Sequence, residues 1–260
     1  MVPRILAICL AAAGCIAWAI VSSGSDRTGL NEHERLIADK SAVVCTVKFV
    51  LQTRYEDGDD YEQESEATGI VVDPSGMVLC SSSALEDWSF LDEDMPETRA
   101  KDLRILFGDD QEGVEAKIVA RDRELDLVWL GLKNPDKRKH AHVELTKAVL
   151  PRPGERLFTL ARLDKYFDRA AAVYEGRIAG IVQKPRLLLA PDIGFPGETG
   201  LPVFAPDGSF AGVLVAQMPE REDHANVDSG MFWNGMGVFI LPAEAVAKAT
   251  ARASETRNAE

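Results

Sequence analysis

Short apolar runs alternate with polar turn residues along most of the chain. The runs are rich in β-branched residues, which pack well on a pleated sheet, and Gly, Pro and Asp separate them. They form two series, which are SAVVCTVKFVL, ATGIVVDPSGMVLC, LRILF, EAKIVARD and LDLVWLGL, and then RLFTLA, AAVYEGRIAGIV, RLLLA, PVFAPDGSFAGVLVAQM and GMGVFI. Two series of short strands predict an all-β protein, either a double barrel or a sandwich.

Turn residues and helical periodicity add detail to this pattern. Pro74 and Gly76 supply the turn of the hairpin VVDPSGMVL, and the stretch APDG at 205–208 supplies another. LNEHERLIADK predicts a short amphipathic helix before the first strand. LPAEAVAKATARASE, with Pro242 near its first turn, predicts a closing helix.

The N-terminal segment carries a targeting pattern. Arg4 precedes residues 5–21, an uncharged run of seventeen residues. A signal-peptide core has ~7–15 apolar residues and a spanning helix ~17–25, so the run lies at the border between them. Three alternatives remain, which are a signal peptide cleaved after Ala19, a retained membrane anchor, and a lipid anchor at Cys15 in AAGC. All three predict an extracytoplasmic body, whether periplasmic, secreted or membrane-anchored.

The charge of the chain excludes one class of partner. The formal net charge is −13 at pH 7, whereas nucleic-acid binding needs clustered Lys and Arg to neutralise phosphates. We therefore expect no nucleic-acid partner. The acidic stretch 55–66 lacks the ligand spacing of a calcium loop, so it predicts a solvated loop, and residues 86–102 are acidic as well.

The cysteines leave two alternatives open. Cys9 and Cys15 lie in the leader, which leaves Cys45 and Cys80 in the body of the protein. In an oxidising compartment these two form either a disulfide or two separately buried thiols on strands. The sequence contains neither a CxxC motif nor a Cys/His spacing typical of zinc, and we expect neither a metal nor another cofactor.

The stretch PGETGLPVF at 196–204 is similar to the nucleophile turn of serine hydrolases, but its hydroxyl belongs to Thr199. Five collinear stretches resemble the chymotrypsin-fold serine proteases of the HtrA/Deg type between about Ser41 and Ala249. They are ATGIVVDPSGMVLCSSSAL, AKIVARDRELDLVWLGL, PRPGERLFTLA with VYEGRIAGIV, PGETGLPVFAPDGSFAGVLVA, and GMGVFILPAEAVAKA.

The resemblance implies a trypsin-like fold of two six-stranded antiparallel β-barrels with a C-terminal helix. It divides the chain into a signal peptide or membrane anchor at 1–25, a linker and short helix at 26–40, an N-terminal barrel at 41–145, a C-terminal barrel at 146–249 with its closing helix from about 242, and a polar tail at 250–260.

The resemblance also implies where the catalytic residues of the family would fall. The histidine position is Ser83, the aspartate position is Asp126 and the nucleophile position is Thr199. Gly197, Glu198 and Thr199 form the remnant of the oxyanion turn, and Leu201 replaces a glycine beside it. We expect this added side chain to disturb the oxyanion hole.

These departures from the family pattern remove the basic side chain that serine-protease catalysis needs. Ser83 is neither basic near neutral pH nor able to hold a positive charge, so it cannot replace an imidazole. In comparable triads, loss of the base costs on the order of 10⁶ in turnover. Four histidines could substitute, namely His33, His140, His142 and His224, and the loop residue His224 is the least excluded.

The sequence therefore predicts an inactive protease homologue that binds an extended peptide or another extracytoplasmic protein, with a membrane tether as one alternative. In the family, substrate backbone lies along the strand after the nucleophile turn, which here contains Gly212, Val213, Leu214, Val215, Ala216 and Gln217. A hydrolase that uses Thr199 with an unconventional base, and a structural or assembly scaffold, are the other two hypotheses.

Overall fold

The computed structural model describes residues 29–54, 60–85, 97–134, 138–147, 149–192, 194–217 and 237–259. The leader at 1–25 and His224 lie outside the described residues. Within the described ranges, no helix is long and apolar enough to cross a membrane.

Two closed antiparallel β-barrels make up the body of the protein. The first barrel is formed by β1 (Val44–Arg54), β2 (Asp60–Val71), β3 (Val78–Ser81), β4 (Glu97–Leu106), β5 (Val114–Asp122) and β6 (Leu127–Leu132). The second is formed by β7 (Arg156–Arg162), β8 (Ala171–Val182), β9 (Leu188–Pro191), β10 (Pro202–Phe204), β11 (Phe210–Gln217) and β12 (Gly237–Pro242). The strand orders are β1-β2-β3-β6-β5-β4 and β10-β11-β12-β9-β8-β7. The predicted all-β double barrel is confirmed.

Each barrel has its own apolar interior, and a third apolar cluster joins the two barrels. Val47, Ile105 and Leu130 lie in the first interior, while Leu189 and Leu214 lie in the second. The third cluster combines side chains of both barrels, including Val44, Ile70, Leu127, Phe158, Val213 and Leu241. Because side chains of both barrels are buried in this shared cluster, it joins the two barrels between their separate interiors.

The helix before the first strand packs against the second barrel. Helix α1 (Glu32–Lys40) begins with a capping box between Asn31 and Glu34, and it buries Leu36 in the shared cluster. Arg156 of β7 forms an ion pair with Glu32 at 2.8 Å. Helix α1 is therefore attached to the barrel formed by the later strands.

The C-terminal helix packs against both barrels. Helix α3 (Ala243–Ala259) buries Val246, Ala249 and Ala253 in the shared cluster. In the first barrel, the indole N–H of Trp129 donates to Thr250 Oγ1 at 3.1 Å. The predicted polar tail at 250–260 is wrong as far as residue 259, because Thr250 and Ala253 continue the buried face of the helix.

The acidic stretch 55–66 is not wholly a loop. Residues 60–66 belong to β2, and residues 97–102 belong to β4, whereas 55–59 and 86–96 lie outside the described ranges. Glu64 pairs with Lys48 of β1 at 3.1 Å, and Glu62 pairs with Lys101 of β4 at 2.5 Å. These ion pairs between neighbouring strands stabilise the sheet in a stretch where apolar and polar residues do not alternate.

Cys45 and Cys80 are two free, buried thiols, and the disulfide alternative is not realised. Cys45 lies on β1 and Cys80 on β3, and β2 runs between these strands with Gly69 opposite Cys45. Strands two positions apart are separated by roughly 9.6 Å, and a disulfide needs Cα atoms within about 7 Å. Burial raises the pKa of Cys45 to about 12 and that of Cys80 well above its ordinary value.

The β2–β3 hairpin is fixed by Asp73. Its carboxylate accepts hydrogen bonds from the N–H groups of Ser75 and Met77 and from the Ser75 hydroxyl, and it pairs with Arg257 of α3 at 3.3 Å. Burial of this carboxyl raises its pKa, but the hydrogen bonds from Ser75 and Met77 and the charge of Arg257 outweigh that effect. The pKa of Asp73 therefore lies below its ordinary value.

The lowered pKa of Asp73 predicts a loss of stability in acid. A carboxyl with a depressed folded pKa stabilises the fold at pH values above its unfolded pKa, and the contribution disappears as the pH falls through the folded value. At pH 7 we expect the free energy of unfolding of wild type to be larger than that of Asp73→Asn. Below about pH 4 we expect this difference between the two proteins to shrink. Urea unfolding at pH 7, 5, 4 and 3 measures it. A difference that stays constant with pH would contradict the role given to the charge.

Candidate functional site

Three residues singled out in the sequence meet where the two barrels face each other. Ser83 lies in the one-turn helix α2 (Ser82–Leu85), which follows β3 directly. Asp126 ends the turn between β5 and β6, and Thr199 lies in the turn before β10. The hydroxyl oxygens of Ser83 and Thr199 are 3.5 Å apart. The N–H of Ser83 donates to Asp126 Oδ1 at 2.7 Å, so the structure brings all three together.

The Asp126 carboxylate is buried and holds several elements in place. Besides Ser83, the hydroxyl of Ser81 and the N–H of Ala216 donate to its Oδ2, each at 2.8 Å. Its own carbonyl accepts from the N–H of Ser82 at 3.0 Å. Ala216 belongs to β11, so this carboxylate links the two barrels. Asp126 adopts a left-handed conformation with φ of 57°, which Asp tolerates better than most residues.

Burial raises the pKa of the Asp126 carboxyl above its ordinary value, although the hydrogen bonds from Ala216, Ser83 and Ser81 oppose the shift. These donors stabilise the ionised form, whereas desolvation disfavours it. All of the bonding partners are N–H or O–H groups that carry no charge. The structure thus shows that the Asp126 carboxylate binds neutral N–H and O–H donors of neighbouring segments.

The hydroxyl groups at this site form an ordered chain. A carboxylate can only accept, so Ser81 gives its one proton to Asp126. Ser83 then donates to Ser81 across 2.7 Å, which leaves the Ser83 oxygen to accept from Thr199. The contact with Thr199 is the longest in this chain, and among the described residues no nitrogen base lies beside the Thr199 hydroxyl.

Three of the four histidines lie at described positions away from the Thr199 hydroxyl. The ring of His33 stands edge-on to Phe158, and the ring of His140 packs on Phe107. His142 contacts the carbonyl of His140 through Nδ1. Among the described residues, the group next to the Thr199 hydroxyl is therefore the Ser83 hydroxyl and not an imidazole.

The turn that carries Thr199 is held close to the first barrel. Gly200 has φ of 82°, and a Cβ there would come within 3.1 Å of the Ser81 nitrogen. Its own N–H donates to the Leu214 carbonyl at 2.7 Å. Leu201 is fully buried and packs in the apolar interior of the second barrel. Only a glycine at position 200 allows this approach.

Glu198 extends from the same turn toward β2. Its Oε1 accepts from the Thr68 hydroxyl at 3.1 Å. The residue as a whole is exposed, yet its carboxyl is desolvated against the barrel. This desolvation raises the pKa of Glu198, and the hydrogen bond from Thr68 only partly offsets it.

The expected peptide-binding edge of β11 is largely occupied by the protein itself. Residues 212–217 pair with β12, and Gly212 and Val213 also pair with β10 on the other side. The Leu214 N–H donates to the Leu201 carbonyl. The Ala216 N–H is taken by Asp126, and its carbonyl accepts from Gln217 Nε2 at 2.8 Å. The strand therefore offers little free backbone for an added strand.

Sequence reasoning missed Ser81 and Thr68 as parts of this site. Ser81 stands in the run CSSSAL, where three consecutive serines before a helix turn are a usable signal. Thr68 gave no such signal, because its partner Glu198 lies far away in the chain. In the described ranges, no group of three or more His, Cys, Asp or Glu side chains is arranged to hold a metal ion.

Comparisons with known proteins identify the family of this chain and are consistent with its fold. The family model described as trypsin-like peptidase domain matches residues 67–213. The crystal structure of Deg5 is 18% identical, with a TM-score of 0.54, and the match covers 82% of this chain and 90% of that one. The apo MamO protease domain from Magnetospirillum magneticum is 18% identical, with a TM-score of 0.47 and coverage of 70% and 87%. No curated protein matches the sequence.

Proposed function

Since the chain belongs to the trypsin-like peptidase family, we propose that it is an exported, catalytically inactive member that binds an extended peptide or a protein partner. One observation carries the inactivity. At the place where a trypsin-like enzyme needs an imidazole, a serine hydroxyl stands between Thr199 and the buried carboxylate of Asp126.

The chemistry of the hydroxyl chain supports inactivity. A catalytic base must take the nucleophile's proton in the attack and return a proton to the leaving group. Ser83 and Ser81 can pass a proton only toward Asp126, three hydrogen bonds away from Thr199. Neither hydroxyl can hold a positive charge, and neither is basic near pH 7.

We expect the full chain to show no turnover of unfolded casein and no labelling by a fluorophosphonate probe. Mass spectrometry of the casein digest and in-gel fluorescence measure the two readouts. Thr199→Ala is the matched control, and circular dichroism checks that both proteins are folded. Labelling that depends on Thr199 would support the alternative of a hydrolase with an unconventional base. It would refute the proposal of inactivity.

Export rests on the sequence of residues 1–25, with Arg4 before a long apolar run. We expect residues 1–40, fused to a reporter enzyme that folds only in an oxidising compartment, to give an active reporter. Arg and Asp substitutions within the apolar run should abolish this activity. An inactive reporter with the unmodified leader would contradict export.

A further inference from the structure

Among the described residues, strand β2 has an edge that is unpaired along most of its length. It pairs with β1 over eleven consecutive positions, from Asp60 opposite Arg54 to Ile70 opposite Val44. On its other side it pairs with β3 only at Ile70 and Val71, and no other described strand pairs with it there. An unpaired strand edge presents alternating N–H and C=O groups that an extended peptide can use.

One end of this edge leads to the turn that carries Thr199. Thr68 of β2 donates its hydroxyl to Glu198, and the Thr68 carbonyl lies close to Gly200. The turn covers the strand at this point, which leaves residues 61–67 as the accessible stretch. Residues 61–64 are exposed, and residues 65–67 are half-buried. The open edge of β2 is therefore defined as residues 61–67.

The acidic side chains on β2 are already neutralised by the protein. Glu62 and Glu64 pair with Lys101 and Lys48, as described above. Glu66 accepts two hydrogen bonds from the Arg169 guanidinium, at 2.6 and 3.0 Å. These pairs hold the strand in place but leave little net charge along it.

Glu198 differs from these glutamates. Within the described ranges, no Lys, Arg or His nitrogen lies within 4.0 Å of its carboxylate, and its one bonded partner is the neutral Thr68 hydroxyl. The carboxylate of Asp126 on the other side of the Thr199 turn is likewise held only by neutral donors. A desolvated carboxylate without a cation favours a ligand that supplies one.

We propose that the open edge of β2 takes an extended peptide by strand addition, and that a lysine or arginine side chain of that peptide pairs with Glu198. This inference rests on the proposed function, because it names the chemical class of peptide that a non-cleaving member of the family binds. The backbone of β2 supplies hydrogen-bond partners to the peptide, and Glu198 gives the site a charge preference.

The test uses the full chain and fluorescein-labelled heptapeptides of alternating threonine and valine that carry X, which is lysine, norleucine or glutamate, at the first or at the last position, because Glu198 lies at one end of the open edge. Fluorescence anisotropy at pH 7 gives the dissociation constants. We expect the lysine peptide to bind about tenfold more tightly than the norleucine peptide, since a partly desolvated ion pair has this order of effect. Glu198→Gln should remove the preference, because glutamine still accepts from Thr68 but carries no charge.

Two controls separate this charge effect from other causes. Glu255→Gln removes one negative charge from an exposed position on α3 and should leave the preference unchanged. Hydrogen exchange should show slower exchange at residues 61–67 when the lysine peptide is bound. A heptapeptide with an N-methyl group at every residue should not give this protection, because it has no backbone N–H to donate from either edge.

The possible outcomes distinguish a failure of the peptide site on β2 from a failure of the proposed function. Equal affinity for the lysine and norleucine peptides, or a lysine preference that persists in Glu198→Gln, would overturn the charge pairing. Tight binding without protection of 61–67 would overturn the location on β2. Cleavage of a heptapeptide in wild type but not in Thr199→Ala would overturn the proposed function instead.

Discussion

Replacing Asp126 with alanine is expected to lower the free energy of unfolding by about 3–5 kcal/mol. The carboxylate accepts from the Ser81 hydroxyl and from the N–H groups of Ser83 and Ala216, and the substitution leaves these buried donors without a partner. Alanine also fits the left-handed conformation at this position poorly. Chemical denaturation at pH 7 measures the loss.

The substitution Asp126→Asn isolates the charge from the geometry. Asparagine keeps the size of the side chain and tolerates positive φ, but one carboxylate oxygen becomes an NH₂ group that cannot accept. We expect a loss smaller than that of Asp126→Ala but still above about 1 kcal/mol. If Asp126→Ala cost less than this, the carboxylate would not be the link between β3, α2 and β11.

The second large effect is expected at Gly212, where β11 crosses close to β12. A Cβ at this position would overlap the Leu241 carbonyl oxygen, a backbone atom of the paired strand. The clash can be relieved only by separating the two strands, because backbone cannot rotate away as a side chain can. Gly212→Ala should therefore cost about 3 kcal/mol or more, or prevent folding.

Gly180 supplies the matched control for this substitution. It also lies in a strand, β8, but a Cβ there would meet no heavy atom within 4 Å. Gly180→Ala should change the free energy of unfolding by less than about 1 kcal/mol, and a gain is as acceptable as a loss. Soluble yield and thermal unfolding compare the two variants. A normal melting temperature for Gly212→Ala would contradict the close approach of β11 and β12.

The barrels could be predicted from the sequence because most of their strands carry local signals. The β-branched runs, and the turns at Pro74-Ser75-Gly76 and at 205–208, indicate where strands begin and end. Residues 60–66 could not be assigned in this way. Their strand depends on Lys48 and Lys101, which lie on neighbouring strands and leave no periodic pattern in the acidic stretch itself.

The candidate site was predictable as a set of positions but not as a set of bonds. Collinear motifs placed Ser83, Asp126 and Thr199, and the structure brings them together. The Ala216 N–H as a donor to Asp126, and the buried direction of Leu201, depend on how the two barrels approach each other. Such long-range geometry has no local signature in the chain.

The crossed attachment of the terminal helices has a consequence for how the protein would respond to a break in its chain. Helix α1 precedes the first barrel but is attached to the second through Glu32 and Leu36, and α3 follows the second barrel but is bonded to the first through Thr250 and Arg257. A cut of the backbone between the barrels would thus leave α1 on the fragment with the first barrel and α3 on the fragment with the second barrel. Each fragment would then carry a helix that packs against the other fragment. They should remain a non-covalent pair and melt in one transition, whereas either fragment produced by itself should be insoluble.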